Sequence, residues 1–102
     1  MGTKAERRAA REAVAGYHEA RLGELIGYIA IAIDCYRSGE VDAFTVDETI
    51  HHYHRAAREL WKFCCSGGGG SHIEMIAHIL NQMATDGETI DWWERVSPRQ
   101  LD

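Results

Sequence analysis

Residues 13–36, AVAGYHEARLGELIGYIAIAIDCY, decide the fold. Ala13, Gly16, Ala20, Gly23, Gly27, Ala30 and Asp34 recur at alternating spacings of three and four, a heptad seam made almost wholly of small residues. Beside it runs a bulky stripe of Leu22, Ile26, Ile29, Ile33 and Tyr36. Leu25, Tyr28, Ala32 and Cys35 fill much of the remaining circumference, and a helix that is apolar on nearly every side must be surrounded. Each interior glycine costs a helix about 0.5–1 kcal/mol relative to alanine. Close approach of another helix to the seam would compensate that cost.

Outward from this stretch, the local signals agree on helix. Thr3 and Glu6 form a capping box at the start of the first helix, and Gly39 follows its end, which predicts a helix over about 4–37. An unbroken helix of that length would be about 50 Å long. A break near Gly16 or Gly23 is the alternative. Thr45 with Glu48 suggests a second capping box and a helix over about 46–64, with Phe44 stapling its entry. Ile50, Tyr53, Ala57, Leu60 and Cys64 would form its core stripe, with Trp61 at the edge. Ser71 with Glu74 suggests a third box and a helix over about 72–85, turning Ile73, Ile76, Ala77, Leu80 and Met83 inward. A short final helix over about 88–96 would carry Trp92 and Trp93. The expected fold is therefore all-α: a single domain over 1–102, built on a long helical hairpin and assembled as a dimeric helical bundle.

Composition bounds the function. Apolar residues make up 45% of the 102, enough for one core and too many for a disordered chain. Shared among four helices that core is thin, and a partner is the usual remedy for so short a chain. The net charge of −5 disfavours non-specific binding to nucleic acid, which needs clustered Lys and Arg against phosphate. The longest apolar run, residues 26–33, is too short to span a bilayer. Cys35, Cys64 and Cys65 cannot all pair within one chain, and no secretory leader is visible, so the reducing cytoplasm is the expected compartment.

Four groups of residues carry chemistry that could serve a site. Glu48 lies three residues before His51 and four before His52, and Glu74 lies four before His78. Such spacings put a carboxylate and an imidazole on one helix face, as helix-borne metal sites do. The commoner reading is a polar surface supported by pairing along the helix. Gly67, Gly68, Gly69 and Gly70, with Ser71 and His72, precede a helix start, where backbone N–H groups can hold an anion or small ligand. No Walker lysine follows, and a flexible connector is the plainer explanation. Trp92 and Trp93 point about 100° apart on a helix, so one could close the core while the other meets a pocket or partner. The seam of Ala13, Gly16, Ala20, Gly23, Gly27 and Ala30 is the candidate packing surface.

No nucleophilic triad can be assembled, no cofactor is indicated, and nothing selects a substrate. The expectation is a homodimeric interaction or regulatory protein, with a metal-binding bundle or metal-dependent enzyme and a ligand-binding glycine loop as alternatives.

Overall fold

A computed structural model of the chain describes residues 3–65 and 70–97. Four helices form among these residues: α1 (Lys4–Arg37), α2 (Ala43–Cys65), α3 (Gly70–Asp86) and α4 (Trp92–Arg95). No strand occurs among them, and the fold is all-α.

The first helix begins and ends as its sequence dictates. Thr3 Oγ1 accepts from the Glu6 amide at 3.1 Å, and Glu6 Oε1 accepts from the Thr3 amide at 2.7 Å, closing the capping box. At the other end Gly39 turns the chain with φ +83°, a conformation that suits glycine. The Glu40 amide then donates to Cys35 O at 2.9 Å and the Gly39 amide to Tyr36 O at 3.1 Å, a Schellman closure. Between these ends α1 runs 34 residues without a break, through Gly16, Gly23 and Gly27 alike.

The second helix starts three residues earlier than expected, because Asp42 takes the cap in place of Thr45. Its Oδ1 accepts from both the Thr45 amide at 2.9 Å and the Thr45 hydroxyl at 3.0 Å. With its hydroxyl bonded to Asp42, Thr45 becomes part of the first turn rather than a cap. Phe44 is 79% exposed and staples nothing. The third helix begins at Gly70, so Ser71 is already helical and cannot be its N-cap. Gly87, at φ +73°, ends that helix in a second Schellman closure, with Glu88 N–H donating to Met83 O at 2.9 Å. The final helix is shorter than the predicted 88–96. Asp91, in extended backbone, accepts from the Glu94 amide at 3.1 Å, and this cap confines the helix to Trp92–Arg95.

Helices α1 and α2 form the hairpin, α3 packs chiefly on α1, and α4 chiefly on α2. Among the described residues the core consists of Ala10, Val14 and Leu25 from α1, Ala56, Leu60 and Cys64 from α2, Ile76 from α3 and Trp92 from α4. The inward face of α2 is therefore rotated from the expected stripe: Ala56 joins Leu60 and Cys64 at 0% exposure, while Ile50 is left 44% exposed. Helix α1 buries Leu25, not the adjacent bulky stripe, and Ile26 and Tyr36 remain about half exposed at 49% and 50%. Gly23 and Gly27 lie two residues either side of Leu25, roughly 200° around the helix, so the small-residue seam faces away from the core. A Cβ placed on Gly16, Gly23 or Gly27 meets nothing within 4 Å. Among the described residues, the seam glycines thus meet no closely approaching helix.

Candidate functional site

The densest chemistry gathers where α4 closes the hairpin, and the two tryptophans divide the work. Trp92 is 4% exposed. Its ring packs at a tilt on Phe63, with centroids 5.3 Å apart, and its Nε1–H donates to the Tyr17 hydroxyl at 2.8 Å. That bond satisfies a buried indole donor, and the Arg95 guanidinium lies over the indole, 5.1 Å from its centroid. Burial raises the Tyr17 hydroxyl above its ordinary value of 10.0, a rise partly offset by the bond from Trp92.

Trp93 is only half-buried, and it is held between two rings. Its plane lies within 5° of Tyr28 at a centroid distance of 4.0 Å, and within 4° of His52 at 3.7 Å. Two parallel rings centred that close to Trp93 cannot share one of its faces without overlapping, so Tyr28 and His52 lie on opposite sides. His52 Nε2 is also 2.8 Å from the Trp93 carbonyl. A carbonyl only accepts, so Nε2 carries the proton and donates. The stack ties α1, α4 and α2 together at one level of the hairpin. Beside it opens a cleft of about 490 Å³, lined by Arg21, Glu24, Tyr28, Asp91, Trp92 and Trp93 among others. Arg21 pairs with Glu24 at 3.0 Å across its rim, while the Arg21 Nε is buried without a hydrogen-bond partner.

The glutamate and histidine pairs do not converge. His51 is exposed and lies 3.4 Å from Asp47 rather than against Glu48. His52 is committed to Trp93, Glu48 and His78 are exposed, and Glu74 is half-buried. Glu48 stands roughly 25 Å along α2 from the end near which α3 begins, so the α2 and α3 pairs sit at opposite ends of the hairpin. Among the described residues, no group of three or more His, Cys, Asp or Glu side chains is placed to hold a metal ion. Gly67, Gly68 and Gly69 lie outside the described residues, and the candidate ligand loop lies there with them. Gly70 and Ser71 belong to the backbone of α3, and His72 is half-buried with its Nε2 unpartnered.

The cysteines separate by environment. Cys64 is fully buried, and that burial, with Cys65 adding to it, pushes its thiol up to about 11. Cys65 is exposed, its Sγ 3.8 Å from His18 Nδ1, and Cys35 is half-buried. All three are free thiols.

Sequence reasoning reached both tryptophans but not the rings around Trp93. Tyr28, His52 and Trp93 are separated by 24 and 41 residues, and no local spacing announces a contact of that kind. Comparison with protein-family models, with curated proteins and with solved structures finds no match to this chain. The reading of its function therefore rests on its own geometry.

Proposed function

We propose that the chain acts as a homodimer, a helical interaction or regulatory protein whose surfaces are completed by a second copy. The observation that carries this reading is the shape. The chain extends 54 × 32 × 26 Å with a radius of gyration of 16.8 Å. A compact domain of this length would have a radius near 13 Å. An elongated body with a small core buries less apolar surface than a compact one of the same length, and association is an ordinary way to bury more. The unbroken α1 strengthens the case, since two short helices and a four-residue turn of helix cannot cover a rod of its length. No helix among the described residues is long and apolar enough to cross a membrane. Three free thiols suit a reducing compartment such as the cytoplasm.

Sedimentation equilibrium tests the reading directly. The expected mass at low micromolar concentration is about twice the 11.5 kDa of one chain. A single species of one-chain mass across the whole accessible concentration range would overturn it.

A further inference from the structure

We infer that the second copy docks on one particular surface, the face of the α1–α2 hairpin that α3 and α4 leave bare, and that it does so about a two-fold axis. The inference rests on the dimer reading above and assigns its contact.

Helices α3 and α4 both lie on the same side of the hairpin. On α1 that side carries Tyr17, Arg21 and Tyr28, which meet α3 or α4; on α2 it carries His52 and Phe63, which meet Trp93 and Trp92. The opposite side has no cover among the described residues. There Tyr36 from α1 joins Ala43, Val46 and Ile50 from α2 along a groove of about 420 Å³. Ile26, Ile29 and Ile33 continue the Tyr36 stripe along α1, at steps of three and four that keep them on one side. Trp61 continues the Ile50 stripe along α2, eleven residues or about three helical turns away. Ile26, Tyr36, Ile50 and Trp61 are 49%, 50%, 44% and 52% exposed. Those four side chains alone leave on the order of 400 Å² of largely apolar surface uncovered.

Two observations point to a second copy as the occupant. The first is area. The chain exposes 7388 Å², whereas a compact monomer of its 11.5 kDa would expose about 5,800 Å². The excess of about 1,600 Å² exceeds the roughly 800 Å² that one partner gives to an ordinary interface and suits a subunit of an obligate dimer. The second is relief. Two parallel rows of large side chains flank a groove, so the face holds both ridge and furrow and packs against itself as two helix pairs do in a four-helix bundle.

The test measures the dimer dissociation constant by sedimentation for Ile50→Glu and Ile26→Glu, with Arg58→Glu, beside Arg95 and Val96 on the α4 side, as the control. Both isoleucines are half exposed in the single chain, so helicity by circular dichroism should hold while the constant rises about tenfold or more. The Arg58→Glu control changes charge on the α4 side and should leave the constant within about twofold, which separates a lost contact from a general effect of added negative charge. Wild-type-like dimerisation of both isoleucine variants, or an equal loss in the control, overturns the assigned face while leaving the dimer itself standing. A monomeric wild-type chain overturns both.

Discussion

Replacing Gly16, Gly23 and Gly27 together by alanine should stabilise the protein, and the size of the gain follows from the geometry of α1. All three glycines sit inside a helix with right-handed backbone, since the positive φ values belong only to Gly39 and Gly87. A Cβ at each meets nothing within 4 Å, so no contact among the described residues opposes the added methyl group. What remains is the helix-propensity difference, about 0.5–1 kcal/mol per site in favour of alanine. Three sites sum to about 1.5–3 kcal/mol, because residues in separate turns with no shared partner act almost additively. For a domain of about this size each kcal/mol moves Tm by roughly 4–8 °C, so the rise should be at least about 6 °C. Far-ultraviolet circular dichroism melts at one fixed subunit concentration measure it, since the Tm of an associating protein varies with concentration. The sign decides the matter. A fall in Tm, accompanied by loss of the dimer, would mean that a partner helix approaches the seam closely and that the outward face of α1 is the contact after all.

Two further perturbations probe the closed end of the hairpin. Trp92→Phe removes the donor to Tyr17 and should cost about 1–2 kcal/mol in urea unfolding; Tyr17→Phe should cost a similar amount, and the double variant clearly less than the sum, because each single change strands a polar group that the double change removes. On the alkaline side, Cys64 and Tyr17 both have thiol or hydroxyl values raised in the folded chain, Cys64 to about 11 from an ordinary 9.0. The unfolded chain loses each proton first, so the Cys64 contribution is full below pH 9.0 and is lost as pH rises through about 11, while the Tyr17 contribution is full below pH 10.0 and is lost above it. Thermal melts across that range, repeated with Cys64→Ala, should show a shallower decline in the variant, and an unchanged slope would refute the assignment of the loss to Cys64.

The helices were legible in the sequence wherever a signal was local. Thr3 with Glu6, Gly39 and Gly87 are recognised by residues three to five positions away, and the structure places each cap or turn where the spacing puts it. Local signals failed where two of them competed. Asp42 and Thr45 are both good N-caps, and the carboxylate, able to accept from the amide and the hydroxyl together, outweighs the hydroxyl that it engages. In the same way Asp91 confines the last helix to its final turn. The candidate site was legible only in its parts. Trp92 and Trp93 stood out by type and by the angle between them, but their division into a buried ring and a stacked one depends on Tyr17, Tyr28 and His52 from other helices. The glutamate and histidine spacings were equally visible, and they place side chains on a helix face without saying which other helix, if any, that face meets.

The first helix shows both sides of this division. By itself the sequence determines that residues 4–37 are helical, with a small-residue seam and a bulky stripe, because capping, propensity and the 3.6-residue period act between neighbours along the chain; that the helix runs unbroken through Gly16 and Gly23 came only with the structure. Which stripe turns inward is not set by that period, since α1 offers apolar residues on almost every side. Tertiary packing alone decided it: the shorter helices bury Val14 and Leu25, leave Gly16 and Gly23 facing outward, and leave Ile26 and Tyr36 half exposed. Rotation about a helix axis costs nothing locally, so its value is set by the shapes that the other helices bring to the contact.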